Sequence, residues 1–237
     1  TGSGYKVLNF LTTGCFNVAT GYHAGYCTTS GCYNVSMGFA ALRGTTTSSN
    51  NTAVGSCALY NNTTGGSNTA VGVVAMQNNT TGEYSIAMGR YALNDNSTGC
   101  RNVALGYASM LSNTTASKNT AVGACALYGN TTGTLNAAFG NEALKVNTTA
   151  SYNTAFGACA LMTNTTSSYN DAFGMGALCT NNGGTHNVAV GNVALRFNST
   201  GCRNTASGHY GMGKNTTGSM NVAYGYYALV CNTTASG

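Results

Sequence analysis

The chain has 237 residues, of which only 5% are charged, and it contains neither Pro nor Trp. Gly, Asn, Thr, Ala and Ser dominate, which excludes an ordinary mixed globular domain, while the regularly spaced Leu, Val, Phe and Tyr residues are untypical of disordered sequence. The net charge of +5 comes from nine scattered basic residues, a pattern that indicates a solvated surface and not a nucleic-acid-binding stripe.

A repeat of seventeen residues organises the whole chain. The motif Asn-Thr-Ala-Val-Gly begins at Asn51, Asn68 and Asn119, and related motifs recur from Asn17 to Asn221 without insertion or deletion. We number positions within the repeat from this Asn, which is position 0. Gly occupies position 4 in all fourteen repeats, and Leu or Met occupies position 8 in thirteen. Such a period predicts one continuous solenoid over residues 1–237, with more degenerate repeats over residues 1–50.

The first element of each repeat is a short strand at positions 1 to 3. Position 1 is Val, Ile or Thr in twelve repeats, and position 3 is usually Val, Phe, Met or Leu. Helix-pair repeats run to about 33 residues or more, and the Gly-containing turns would break a helix twice per repeat. The pattern predicts an all-β fold: a single parallel β-solenoid, or β-roll, of fourteen coils with no helical domain.

The alternation along this strand predicts which side chains point inward. We expect the large residues at positions 1 and 3 to fill the coil. Position 2, which is Ala in twelve repeats, would then point outward. This Ala file has two interpretations: close approach of a second backbone, such as another copy of the solenoid, or the lining of a very thin core.

The second element is a turn at positions 11 to 14. Asn stands at position 11 in eleven repeats, and in ten of them it is followed by Thr or Ser and then Thr. Stacked Asn side chains form hydrogen-bonded ladders, but the same tripeptide is an acceptor for N-linked glycans, and its Thr hydroxyls are candidates for O-linked sugar. The candidate glycosylation residues are Asn62, Asn79, Asn96, Asn113, Asn130, Asn147, Asn164, Asn198, Asn215 and Asn232, with Thr63, Thr80, Thr114, Thr131, Thr148, Thr165, Thr216 and Thr233.

The third repeated feature is the Asn at position 0, which is broken only by Ser85 and which predicts a second ladder at the entry of each strand. The ten Cys residues are irregularly placed. Only Cys15 and Cys32 share a position in adjacent repeats, so they are the candidate disulfide. Cys27 could compete for Cys32 within one coil, and Cys159 could reach Cys179. An oxidising, extracellular setting is consistent with this pair.

Catalytic chemistry has few residues available. The chain holds four carboxylates and three His, and only Asp171 and His186 share a repeat, at its opposite ends (positions 1 and 16). No Cys-x-x-Cys pair occurs, so we expect no zinc site or other metal site. We predict no catalytic residues, no cofactor and no enzymatic activity.

The repeat resembles a known family. Ala53-Val54-Gly55, Ala70-Val71-Gly72, Ala121-Val122-Gly123 and Ala189-Val190-Gly191 look like the Ala-Ile-Gly repeat of trimeric autotransporter adhesin heads and of repeat-bearing phage tail fibres. More loosely, the chain resembles glycan-decorated extracellular fibrils. The resemblance implies a parallel β-roll, commonly trimeric, that projects from a cell or virion and binds surfaces.

These features predict a structural role. We expect a subunit or section of an extracellular or cell-surface fibre that assembles with copies of itself, end to end and laterally or as a trimer along the Ala file, and that carries covalent glycans. Neither nucleic-acid binding nor membrane insertion is expected. The alternative is an adhesin head or tail-fibre shaft that binds a cell-surface ligand. Ice binding by Thr residues is less consistent with the pattern, because alternation at positions 12 and 13 predicts only one outward file.

Overall fold

The structure, a computed structural model, describes all 237 residues. It contains two compact units, residues 1–118 and residues 119–237. Each unit has seven short strands and no helix. The first unit contains β1 (Gly2–Ser3), β2 (Val18–Thr20), β3 (Val35–Met37), β4 (Thr52–Val54), β5 (Thr69–Val71), β6 (Ile86–Met88) and β7 (Val103–Leu105). The second contains β8 (Thr120–Val122), β9 (Ala137–Phe139), β10 (Thr154–Phe156), β11 (Asp171–Phe173), β12 (Val188–Val190), β13 (Thr205–Ser207) and β14 (Val222–Tyr224).

Within each unit, consecutive strands are parallel and pair residues that lie one repeat apart. Ala53 pairs with Ala70 in the first unit, and Ala155 pairs with Ala172 in the second. Each repeat is therefore one coil of a parallel β-solenoid, and the predicted all-β class is confirmed. The prediction of one unbroken array over residues 1–237 concerns how the two units continue into each other, and it stays a prediction. The chain forms no helix that could cross a bilayer.

The interior of the coil is thinner than the sequence predicts. The strand residues at position 2, such as Ala155 and Ala172, are 0% exposed, whereas Phe156 and Phe173 at position 3 are exposed. The prediction that positions 1 and 3 fill the coil is wrong, and the thin-core interpretation of the Ala file is correct. Since this file is enclosed within its own coil, a second copy of the chain cannot pack against it.

The physical reason is the short perimeter of the coil. Seventeen residues extend to about 56 Å, and the turns shorten the path further. The enclosed space holds Ala from position 2, Ala from position 7 and one Leu or Met from position 8, such as Leu161, whose side chain is fully buried. Larger residues at positions 1 and 3 must therefore lie outside, which also explains why Asp171 is tolerated at position 1.

Left-handed backbone conformations turn the chain between the strands. Gly at position 4 has a φ of +117° to +139° in every coil, a region that is essentially restricted to Gly. A Cβ on Gly157 would also lie 2.6 Å from the backbone of Gly174 in the next coil. Positions 6, 8 and 16 carry side chains at positive φ in nearly every coil, as in Cys159 and Leu161. Each such residue costs on the order of 1 kcal/mol, which the contacts between coils offset.

Backbone hydrogen bonds outside the strands also connect adjacent coils. Leu144 N donates to Ala160 O at 3.0 Å, and Gly174 N donates to Phe156 O at 2.7 Å. These bonds fix the axial register of the turns as well as that of the strands. Every side chain therefore lies directly above the residue at the same position in the neighbouring coil.

Candidate functional sites

The Asn side chains at position 11 form an internal ladder. Asn215 Nδ2 donates to Asn198 Oδ1 at 2.7 Å, and Asn198 Nδ2 closes its own turn by donating to Gly201 O at 2.9 Å. A side chain without exposed surface cannot carry a glycan in the folded coil. The ladder interpretation is therefore correct, and the folded coil leaves no exposed side-chain surface for an N-linked glycan, at nine sequon Asn that are 0% exposed: Asn62, Asn79, Asn96, Asn113, Asn130, Asn147, Asn164, Asn198 and Asn215. The tenth, Asn232, lies in the last coil and is partly exposed.

A second Asn ladder runs along position 0. Asn187 Oδ1 accepts the backbone N–H of Asn204 at 3.0 Å, and Asn187 Nδ2 donates to Gly201 O at 2.8 Å. The carboxamide thus joins one coil to the next just before each strand. This arrangement is the register-fixing ladder that the sequence predicts.

The two Thr files of the turn both lie on the surface, contrary to the predicted alternation. At position 12 the hydroxyl donates to the carbonyl of the next coil, as from Thr131 to Thr148 at 3.0 Å and from Thr216 to Thr233 at 2.9 Å. Position 13 is exposed throughout, because positions 12 to 14 form a bend in which strand alternation does not apply. We name the twelve Thr residues at this position the threonine file: Thr13, Thr47, Thr64, Thr81, Thr98, Thr115, Thr132, Thr149, Thr166, Thr200, Thr217 and Thr234.

Position 15 supplies a file of hydrogen-bond acceptors that the sequence analysis missed. The backbone N–H of Ser151 donates to the hydroxyl of Ser168 at 3.0 Å, and that of Thr185 donates to Cys202 Sγ at 3.3 Å. The preference for Ser, Thr and Cys at this position is the signal that could have revealed it, because all three side chains are short acceptors.

The candidate disulfide pair lies in this same file. All ten cysteines are free thiols in the structure, and Cys15 Sγ and Cys32 Sγ are 2.9 Å apart. Their hydrogen bond is the main cause that raises the pKa of the Cys15 thiol and lowers that of Cys32. Cys32 is therefore the more readily ionised and the more nucleophilic partner. The structure brings the predicted pair together without showing the covalent bond.

Aromatic rings stack along the outer edges of both units. Tyr152, Tyr169 and His186 at position 16 form a continuous stack with ring centroids 5.0 Å apart, and Tyr22 and Phe39 at position 5 stack at 5.4 Å. The faces of the rings within a stack cover one another. Such a stack stabilises neighbouring coils but offers few open ring faces to a sugar ligand.

The outward side of the strands, at positions 1 and 3, is a largely apolar surface that we name the strand face. Eighteen of its twenty-eight residues are aliphatic, Met or aromatic, and nine are Thr or Ser. Among its twenty-eight residues only Asp171 is charged. Phe156 is 55% exposed, Met37 is 45% exposed and Val190 is 42% exposed. A largely apolar, nearly uncharged surface of this kind marks contact with another molecule more often than with water.

Charged side chains are few and make a single ion pair with one another. The single ion pair joins Lys145 Nζ to Glu142 Oε1 at 2.8 Å on the surface. No group of three or more His, Cys, Asp or Glu side chains is placed to hold a metal ion. No family model, curated protein or solved structure matches the chain. The resemblance to adhesin heads and tail fibres therefore rests on the repeat motif alone.

Proposed function

We propose that the chain is a structural subunit, or a section, of an extracellular fibre that assembles with copies of itself. The observation that carries this proposal is the strand face, which is largely apolar and nearly uncharged in both units. The strand face of a second copy has the same coil spacing and almost no charge, so it is the partner that matches this surface best.

The size of the strand face determines what kind of assembly it supports. Seven strands spaced about 4.8 Å apart, each about 10 Å long, give roughly 340 Å² per unit. A stable interface buries about 800 Å² on each partner, so one unit is insufficient for a tight dimer. The contact grows with every coil added, which favours lateral bundling of long arrays over a discrete small oligomer.

Axial growth follows from the same geometry. Leu161 is fully buried, and its coil is joined by backbone hydrogen bonds to the coils before and after it. A coil that a second copy adds in register would pair its backbone groups with the neighbouring coil in the same way. Axial stacking and lateral bundling together would produce a fibre.

Glycosylation belongs to this proposal in a narrower form than the sequence predicts. With 5% charged residues the chain has little electrostatic repulsion to keep fibres apart, and a sugar coat could replace it. The buried Asn ladder is not available, and a glycan on a position 12 hydroxyl would displace its bond to the next coil. We therefore propose O-linked sugar on the threonine file, which lies on a different side of the coil from the strand face.

The alternative is an adhesin or tail-fibre shaft that binds a cell-surface ligand. The stacked aromatic rings give less support to this alternative, because their faces are occupied by one another. The Asn ladders and the aromatic stacks both strengthen contact between coils, which is what a structural role requires.

The test compares two Lys pairs placed in the same two coils. Phe156→Lys with Val190→Lys charges the strand face, and Thr166→Lys with Thr200→Lys charges the threonine file. We expect electron microscopy to show bundled filaments for the native chain and the threonine-file pair, and separate filaments for the strand-face pair. A native chain that stays monodisperse at high concentration, or equal bundling by both pairs, would contradict the proposal.

A further inference from the structure

A cavity of about 270 Å³ on the second unit is lined by four sulfur-containing side chains. Its lining comprises Cys159, Met162, Met175 and Cys179, together with Gly176, Val193 and Arg196. The chain has ten Cys and eight Met in 237 residues, so four sulfurs around one small cavity are a marked local concentration. The sequence analysis considered a bridge between Cys159 and Cys179 but did not bring the two methionines or the cavity into view.

The coil register explains why these residues meet. Positions 6 and 9 lie side by side on the surface, as the ion pair between Glu142 and Lys145 shows at those same positions one coil earlier. Cys159 and Met162 are the corresponding pair in their coil, and Cys179 occupies position 9 of the next coil. Backbone bonds hold Cys179 in place: its N–H donates to Gly176 O at 3.3 Å, and its carbonyl accepts from Thr163 N at 3.1 Å.

Gly176 provides the space between the sulfurs. Position 6 carries a side chain in every other coil, including Cys159 before it and Val193 after it. Gly176 has a φ of +65°, close to the +52° of Val193, so the backbone of this coil is not distorted by the substitution. The missing side chain leaves the cavity open beneath Cys179, which is itself buried.

We propose that this cavity binds one soft monovalent cation of the d¹⁰ class, Cu(I) or Ag(I), through the Cys159 and Cys179 sulfurs with thioether support from Met162 and Met175. Thiolate and thioether sulfurs are the ligands that such ions select. Binding replaces the two thiol protons: two Cys–SH and one M⁺ give one bis-thiolate complex and two H⁺, with no change in oxidation state.

The charge balance of the cavity agrees with this stoichiometry. A bis-thiolate complex of a monovalent ion carries one negative charge, and the guanidinium of Arg196, which is always protonated, lines the same cavity. Since the ion must displace thiol protons, its affinity falls as the pH is lowered.

The test uses Ag(I), which is redox-inert, and the full chain with its thiols reduced. Titration followed by native mass spectrometry counts the tightly bound ions, and X-ray absorption reports the sulfur atoms around them. We expect Cys159→Ser with Cys179→Ser to lose one tightly bound ion. We expect Met162→Leu with Met175→Leu, which conserves volume, to weaken that ion at least about tenfold, as loss of a supporting ligand does.

Two further variants separate the site from general thiol binding and from misfolding. Cys57→Ser with Cys125→Ser removes two thiols at position 6 that do not line the cavity, and it should retain the ion. Gly176→Val fills the cavity with the residue that position 6 carries one coil later, and it should abolish binding while coil register is kept. An unchanged ion count in the double Ser variant, native affinity in the double Leu variant, or a Cys159–Cys179 disulfide in the isolated protein would overturn the proposal.

Discussion

The Asn ladder makes a sharp prediction at Asn198, which belongs both to the ladder and to a sequon. Its side chain is fully buried and makes three hydrogen bonds. It donates to Asn181 Oδ1 and to Gly201 O, each at 2.9 Å, and it accepts from Asn215 Nδ2 at 2.7 Å. Replacing Asn198 with Ala removes all three bonds and leaves a void the size of a carboxamide.

The three lost bonds differ in their consequence. Gly201 O keeps the donor from Asn187 at 2.8 Å, and Asn215 Nδ2 keeps the bond to Gly218 O at 2.9 Å, so each of these losses costs about 1 kcal/mol. Asn181 Oδ1 loses its hydrogen-bond donor and stays buried, which costs about 1–3 kcal/mol. Added together, the three losses destabilise the coil by about 4 kcal/mol.

Hydrogen exchange resolved by coil is the suitable assay, because a solenoid opens locally and has no single transition. A loss of about 4 kcal/mol lowers protection of amides in the neighbouring coils by roughly a thousandfold. Thr200→Ala, two residues away on the exposed threonine file, is the matched control and should stay within about 0.5 kcal/mol of the native chain. If Asn198→Ala changed protection by less than about fivefold, or about 1 kcal/mol, the ladder would not stabilise the stack as we infer.

Three other outcomes follow from the structure. Gly157→Ala should destabilise its coil by about 1–3 kcal/mol or more, because the added Cβ would lie 2.6 Å from the backbone of Gly174. A neutral effect in the same exchange assay would contradict the Gly requirement at position 4. Mild oxidation should join Cys15 to Cys32, whose sulfurs are 2.9 Å apart, so that thiol counting falls from ten to eight with those two residues linked in the peptide map; loss of any other pair first would refute the assignment. The pKa of His23 lies below its ordinary value of 6.5, mainly because the ring is partly desolvated and also because Arg43 and Lys6 are nearby. The unfolded chain therefore takes up the proton first, and hydrogen-exchange protection of that coil should decrease as the pH falls below about 6.5. His23→Phe should remove this pH dependence, and an unchanged pH dependence in that variant would assign it to another group.

The sequence by itself determined the repeat, the class of fold and the ladders. An exact period of seventeen residues specifies which side chains share a position, and shared position becomes axial contact as soon as coils stack. The Asn files at positions 0 and 11 could therefore be interpreted from spacing alone. Gly at position 4 was likewise visible, because no other residue type replaces it in fourteen coils.

Only the tertiary structure decided which side of each strand faces inward. Alternation groups Phe156 with the other outward residue of its strand and separates both from Ala155, but a period of two is symmetric and does not say which group is enclosed. The perimeter of the coil decides this, since it admits Ala at positions 2 and 7 and one Leu or Met at position 8. The turns were unpredictable for a related reason. Left-handed residues such as Cys159 are held by contacts between coils, and those contacts place Cys159 beside Cys179 and leave the cavity at Gly176 between them.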